Sequence, residues 1–258
     1  MINLAQNVCY DKHIKVNLDI RQYVTHADEL SALIEHYNYE HIEVGYGISE
    51  LVTRLERFLQ DNKLSMTVCQ NPWYGATQFD VPEGDDVYYL INPNGNDGTV
   101  IPKQQVIDIA KDYKYLIVDE AYGDFAQESI VDEHVDNIIV LKTLSKSYAI
   151  PGARFGWCIA NKTVIEYLRK YRPISATMPR QILKTILDDI PKHAERMIQT
   201  RNHLEKIYDC VPSKSNYVLF KNPNKYTEKF GFKNVNGLYR MSLIDMESLN
   251  EWKIFECL

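Results

Sequence analysis

One stretch of the sequence, residues 138–157, constrains the fold of this chain more than any other. An apolar run at 138–141 reads as a buried β-strand, a short polar turn follows it, and a second apolar run begins at 155. The turn carries Lys146. A lysine directly behind a core strand is unusual, because burial strips the ammonium group of its hydration.

The position of this lysine suggests carbonyl chemistry. Partial burial can lower the pKa of an amine until its neutral form attacks a carbonyl. An aldimine of pyridoxal 5'-phosphate would use Lys146 for the aldehyde and Thr143, Ser145 and Arg154 for the phosphate. The alternative is a surface lysine at a junction between strand and loop.

A second strand ends in acidic residues. The β-branched run at 115–118 places Asp119 at the carboxyl edge of a buried strand, where open α/β sheets bind ligands. Asp119 could instead cap a following turn. A P-loop ATPase also has an acidic strand end, but it requires a Gly-Lys pair in its phosphate loop, and the sequence contains none.

Composition limits the other possibilities. With 258 residues the chain can form a large core, and its net charge of −6 argues against nucleic-acid and anionic-membrane partners. Apolar runs are too short to cross a membrane, and the N-terminus does not resemble a signal peptide. The five cysteines include no Cys-x-x-Cys pair, so we expect reduced thiols, no metal site and a cytoplasmic location.

Apolar strands alternate with amphipathic helices along the chain. This pattern predicts an α/β fold with a mostly parallel sheet. The expected organisation is an N-terminal arm at 1–22, a large domain at 23–172 and a small domain at 173–258. The long helical region at about 178–208 should be interrupted near Pro191.

Gly45 and Gly47 precede another helix. A short strand, a Gly-x-Gly turn and a helix opening near Ser49 would leave the backbone N–H groups of Ile48 and Ser49 available to an anion. Gly-x-Gly is common, so an ordinary helix start is the alternative.

The order of these motifs resembles the fold-type-I pyridoxal-phosphate-dependent aminotransferases of class I and II. Within them the chain is most similar to the group of histidinol-phosphate aminotransferases and threonine-phosphate decarboxylases, although it is shorter. The resemblance implies a three-layer αβα large domain with a mostly parallel sheet and a reduced α+β small domain. The motifs that carry the resemblance are GYGISE at 45–50, PWYG at 72–75, NPN at 92–94, DEAY at 119–122, SK at 145–146 and GARFG at 152–156.

The resemblance implies a role for each matched residue around the cofactor. Lys146 would form the aldimine, Asp119 would pair with the pyridinium nitrogen, and Tyr122 would hydrogen-bond the ring hydroxyl. Tyr74 would stack on the ring. The phosphate ligands would be Ile48, Ser49, Thr143, Ser145 and Arg154.

The resemblance also implies substrate and subunit contacts. Arg240 would bind the substrate carboxylate, with Asn216 beside it, and Tyr23 would reach the cofactor of a partner subunit in a homodimer. The asparagine that faces the ring hydroxyl in the family falls on Gly95, so either Asn94 or Asn96 replaces it or the contact is lost.

The function implied is transfer of an amino group between a small amino acid, with or without a phosphate group, and a 2-oxo acid. The alternatives are a pyridoxal-phosphate-dependent decarboxylase of a phospho-amino acid and an inactive relative that only binds.

Overall fold

The computed structural model describes residues 8–16, 24–69, 79–222, 233–235 and 237–251, and places two β-sheets among them. The first sheet has six strands: β1 (Ile42–Gly45), β2 (Met66–Val68), β3 (Val87–Ile91), β4 (Tyr115–Asp119), β5 (Ile138–Thr143) and β6 (Gly156–Ile159). The second has four: β7 (Cys210–Val211), β8 (Tyr217–Phe220), β9 (Lys233–Val235) and β10 (Leu238–Ser242).

The first sheet is mixed and mostly parallel. Its strand order is β1-β6-β5-β4-β3-β2; the neighbours from β2 to β5 pair in parallel, and β6 runs antiparallel to both of its neighbours. Five of the six strands therefore point the same way, and the α/β class expected from the sequence is confirmed. This order brings the carboxyl ends of β3, β4 and β5 together at one edge.

Helices connect the strands. They are α1 (His26–Tyr37), α2 (Ile48–Asp61), α3 (Lys103–Ala110), α4 (Leu144–Ser147), α5 (Lys162–Lys170), α6 (Arg180–Ile207) and α7 (Met246–Glu251). Local sequence fixes the start of α1. The Thr25 hydroxyl accepts from the Asp28 amide at 3.2 Å, and the Asp28 carboxylate accepts from the Thr25 amide at 3.1 Å. This reciprocal pair is a capping box.

Helix α6 differs from the sequence prediction, because it runs through Pro191 without the expected interruption. Proline has no N–H, so the helix loses one backbone hydrogen bond there. Ile190 and Ala194, on either side of it, are buried. Packing of this apolar face keeps the helix continuous, since tertiary contacts supply most helical stability in proteins.

The buried residues form two hydrophobic cores. The larger surrounds the six-stranded sheet, with Trp157 and Leu51 fully buried, and the smaller lies against the second sheet, with Phe125 and Met241. The N-terminal segment joins the smaller core: the Tyr10 amide donates to the Leu243 carbonyl at 2.9 Å. The domain boundaries set from the sequence stay a prediction.

In the part of the chain that the structure describes, no helix combines the length and apolar character needed to cross a membrane.

Candidate active site

A cleft at the carboxyl edge of the six-stranded sheet brings most of the predicted site residues together. It contains about 700 Å³ of space, part of it open to solvent. The residues that line it are Ile48, Ser49, Ile91, Gly95, Asp119, Ala121, Tyr122, Thr143, Ser145, Lys146, Pro151 and Arg154.

Lys146 stands on the short helix α4, directly after β5. Strand β5 is buried along its whole length, and the Thr143 hydroxyl accepts from the Ser145 amide at 3.1 Å to start the helix. Burial lowers the pKa of Lys146 to about 8. The positive charges of Arg240 and Arg154 add to this pKa shift, and only an ionised Cys9 would oppose it. Burial raises the pKa of Cys9 to about 12, so its thiol is neutral near neutral pH.

Asp119 ends β4, the strand next to β5, and its side chain is 5% exposed. Its carboxylate accepts from the Tyr89 hydroxyl at 2.9 Å and from the Ala121 amide at 3.0 Å. Burial raises the pKa of Asp119 to about 6 although both hydrogen bonds oppose the rise, and the charge of Glu120 raises it further. A buried carboxylate of this kind is stabilised by a cation placed beside it.

Tyr122 follows on the same loop, where it precedes a 3₁₀ turn at Gly123–Phe125. It lines the cleft and is almost fully buried. Gly95, which the resemblance aligns with the family's asparagine, also lines the cleft.

One end of the cleft gathers hydroxyls, a guanidinium group and a helix N-terminus. The Thr143 hydroxyl lies 3.1 Å from the Ser145 hydroxyl and donates to the Phe155 carbonyl at 3.0 Å. Arg154 donates to the carbonyls of Pro151 at 3.1 Å and Tyr46 at 3.2 Å. Together with the first turn of α2, these groups make a positive, donor-rich pocket suited to an anion.

Two glycines allow the backbone and Arg154 to pack closely at this end of the cleft. Gly47 has φ +78°, and a Cβ there would lie 2.9 Å from an Arg154 nitrogen. A Cβ on Gly156 would lie 2.8 Å from the Gly47 carbonyl carbon. Any larger residue at either position would push Arg154 or the helix turn away.

Arg240 lies on β10 of the second sheet, Asn216 directly precedes β8, and both are almost fully buried. The Arg240 guanidinium lies 5.4 Å from the centre of the Tyr217 ring, and its charge acts on Lys146. Burial lowers the pKa of Arg240. Neither residue is among those that line the cleft, but the Tyr217 hydroxyl donates to the Asn94 carbonyl at 3.3 Å, which joins the two sheets there.

Asn94, a further predicted residue, is not among those that line the cleft. The Asn94 side chain accepts from the Asn96 amide at 2.8 Å within its own turn, and the choice between these two asparagines stays open. Tyr74 and Tyr23 lie outside the described residues.

Sequence reasoning missed two residues near the site. Tyr89 on β3 holds the Asp119 carboxylate, and a tyrosine inside an otherwise apolar strand was the available signal, since a buried phenol needs a partner. Cys9 is buried, and its Sγ lies 3.6 Å from the Asn216 carbonyl. Nothing in the spacing of the sequence pointed to Cys9, which is 207 residues away from Asn216.

Comparisons with known proteins point to one enzyme family. Histidinol-phosphate aminotransferase of Thermoanaerobacter pseudethanolicus is 34% identical over 147 residues, which cover 52% of this chain and 42% of that protein. The chain thus spans less than half the length of curated relatives such as this one.

Solved structures share the fold. The histidinol-phosphate aminotransferase of Sinorhizobium meliloti, in complex with pyridoxal 5'-phosphate, superposes with a TM-score of 0.71 at 19% identity, over 90% of this chain and 81% of that one. L-Threonine-O-3-phosphate decarboxylase of Porphyromonas gingivalis gives 0.68 at 18% identity, over 100% and 99%.

The family itself is settled by a match over most of the chain. The model of the family "Aminotransferase class I and II" matches residues 79–250, a range that contains Asp119, Lys146, Arg154 and Arg240. The resemblance drawn from the sequence is confirmed. The chain belongs to the class I and II aminotransferase family.

Proposed function

We propose that this chain is a pyridoxal 5'-phosphate-dependent aminotransferase that moves an amino group between a small amino acid and a 2-oxo acid. One observation carries the proposal: Asp119, at the end of β4, and Lys146, on the short helix that follows the neighbouring strand β5, line the same cleft, and burial shifts their pKa values toward each other, to about 6 and about 8. Pairs of titratable groups in a cleft with shifted pKa values are typical of active sites.

The residues of the cleft fit this cofactor. Asp119 offers a buried carboxylate that a protonated ring nitrogen would stabilise, and Tyr122 offers a phenol for the ring hydroxyl. The phosphate would lie in the pocket formed by the first turn of α2 and by Thr143, Ser145 and Arg154. When bound, the cofactor supplies an aldehyde and a ring that withdraws electrons from the substrate Cα.

The chain's own groups would supply the remaining chemistry. A lowered pKa leaves part of Lys146 as a neutral amine near neutral pH, so it can attack a carbonyl and then carry a proton to and from Cα. Arg240, on the second sheet, would bind the substrate carboxylate through its planar guanidinium group, with Asn216 close by.

The test is reconstitution followed by reduction. Protein mixed with pyridoxal 5'-phosphate should show a visible absorption band, and borohydride should abolish the band and fix the cofactor to the peptide that contains Lys146. Lys146→Ala should show no such band, whereas Lys162→Ala, which removes a side chain that is 70% exposed, should behave as the wild type. Finding the reduced adduct on another lysine would overturn the proposal.

The products then separate transamination from decarboxylation. The reconstituted protein is offered a panel of amino acids that includes histidinol phosphate and O-phosphothreonine, the compounds in the names of its relatives. Release of a carbonyl product with conversion of the cofactor to its amine form supports the aminotransferase. Release of carbon dioxide supports the decarboxylase instead.

A homodimer in which Tyr23 reaches the partner's cofactor, and a cytoplasmic location, stay predictions from the sequence.

A further inference from the structure

The loop after β4 carries an excess of buried negative charge. Asp119, Glu120 and Asp124 lie within six residues, and their side chains are largely or fully buried. Of these three carboxylates only Asp119 lines the cleft. Buried charges are costly unless they are paired, so the other two need a counter-charge.

Lys142 supplies that counter-charge from the neighbouring strand. It lies on β5 between Leu141, which pairs with Asp119, and Thr143, which lines the cleft. Successive side chains of a strand point to opposite faces, so Lys142 faces away from the cleft. Its side chain is 3% exposed.

The contacts of Lys142 span the whole loop. Its Nζ lies 3.1 Å from an Asp124 oxygen and 3.3 Å from a Glu120 oxygen. Glu120 in turn accepts from the Ser129 hydroxyl at 2.5 Å and from the Ile130 amide at 2.7 Å. The loop between β4 and residue 130 is therefore tied to β5 through this lysine.

The surroundings of Lys142 keep it charged. Burial alone would lower the pKa of Lys142, but the negative charges of Asp124 and Glu120 outweigh burial and raise it. From α1, Tyr37 and His36 also face this cluster: an ionised Tyr37 would raise the pKa of Lys142, and the charge of Lys142 helps to lower the pKa of His36.

We propose that Lys142 is a positioning residue: through Glu120 and Asp124 it holds the loop that presents Asp119 and Tyr122 to the cleft, and its charge offsets that of Glu120 beside Asp119. The role of Asp119 and Tyr122 in binding a cofactor rests on the proposed function. The effect of Lys142 on Asp119 does not depend on it, because both groups are present in the chain without a ligand.

The test measures the ionisation of Asp119 directly in protein without cofactor. Protein labelled with carbon-13 at the aspartate carboxyl groups is titrated by nuclear magnetic resonance, and the Asp119 signal is assigned by its loss in Asp119→Asn. In the wild type we expect a midpoint near the pKa of about 6. In Lys142→Met the midpoint should rise by about one pH unit, because the negative charge of Glu120, which already raises the pKa of Asp119, then acts without its counter-charge.

A double variant separates charge from contact. Glu120→Gln combined with Lys142→Met removes one negative and one positive charge, so the Asp119 midpoint should return toward that of the wild type. The ties between the loop and β5 are still lost, so affinity for pyridoxal 5'-phosphate should remain about tenfold below that of the wild type, as in Lys142→Met alone. Lys103→Met, which removes a partly exposed lysine paired with Glu133, serves as the matched control and should change neither quantity.

A folded Lys142→Met protein with the wild-type midpoint and the wild-type cofactor affinity would overturn the proposal. If Lys142→Met does not fold, Glu120→Gln alone decides, since it keeps the contact between Lys142 and Asp124. Removing the charge of Glu120 should lower the Asp119 midpoint, and an unchanged midpoint would overturn the proposal.

Discussion

The site has two sides, the cleft itself and the second sheet beside it, and they are held together in different ways. On the first side, each functional group has a hydrogen bond to a neighbour in the sequence: Ser145 with Thr143, Asp119 with Ala121 and Arg154 with Pro151. Asp119 and Arg154 each add one contact to a more distant residue. On the side of the second sheet, contacts join distant segments. Cys9 contacts Asn216 across 207 residues, and Tyr217 contacts Asn94 across 123.

The two kinds of contact differ in how easily they are recognised from the sequence. A site fixed by local contacts survives as a short motif, so its residues can be recognised one after another along the chain. A site assembled from three distant segments depends on how the segments pack. We therefore expect changes on the first side to act on chemistry, and changes on the second side to act on substrate binding and stability.

Asp119→Asn should have the largest effect on activity and should separate catalysis from binding most clearly. A neutral amide cannot stabilise a protonated ring nitrogen, so kcat should fall on the order of a thousandfold, while the phosphate pocket still binds the cofactor. The measurements are turnover and the absorption spectrum of the reconstituted protein. Asp108→Asn, at an exposed position on α3, is the control. Turnover equal to that of the wild type would remove Asp119 from the chemistry.

Arg240→Ala tests the second side of the cleft. Loss of one charged partner in a desolvated site costs about 3 kcal/mol, so kcat/KM for a carboxylate substrate should fall about a hundredfold, mainly through KM. The absorption spectrum of the bound cofactor should not change. Arg180→Ala, which removes an exposed arginine paired with Glu35, is the control. An unchanged KM would place the carboxylate site elsewhere, and loss of the absorption band would assign Arg240 to the cofactor.

The smallest effect concerns the N-terminal segment, which Asp11 ties to α6. Its carboxylate accepts from His193 at 2.8 Å and from Arg196 at 2.8 Å. Burial alone would raise the pKa of Asp11, but the hydrogen bonds from His193, the His13 amide and Arg196 together lower it from 3.8 to about 2. The charged form is thus the one that the folded protein stabilises.

The sign of the pH dependence follows from this lowered pKa. Asp11 should contribute about 2 kcal/mol of stability above pH 4, and this contribution should disappear as the pH falls toward 2. Asp11→Asn should therefore unfold earlier in denaturant at pH 7 and match the wild type near pH 2. Asp209→Asn, which removes an exposed carboxylate paired with Lys221, should have a much smaller effect. A difference that persists unchanged down to pH 2 would contradict this account.

Much of the first sheet was predictable from the sequence. The strand predicted at 115–118 falls within β4, because apolar runs between turn signals specify core strands strongly. The motifs that contain Lys146, Asp119 and Tyr122 were recognisable because each is a short run of consecutive residues. The short strands β7 and β9 were missed, since two or three residues carry too little periodicity to be recognised.

The remaining errors involve tertiary contacts. Pro191 alone predicted a break in α6, and only the packing of Ile190 and Ala194 shows why the helix continues. Likewise, the hydroxyl of Tyr89 and the thiol of Cys9 could not be assigned to the site before the pairing of β3 with β4 and the path of the N-terminal segment were known.

Helix α6 couples the stability of the two hydrophobic cores. Leu183 and Leu187 in its first half belong to the core of the six-stranded sheet, and Met197 and Leu204 in its second half belong to the core of the second sheet. Helix α6 therefore contributes residues to both hydrophobic cores. A change that unfolds part of α6 therefore destabilises both cores at once. The substrate side and the catalytic side should unfold together and not independently.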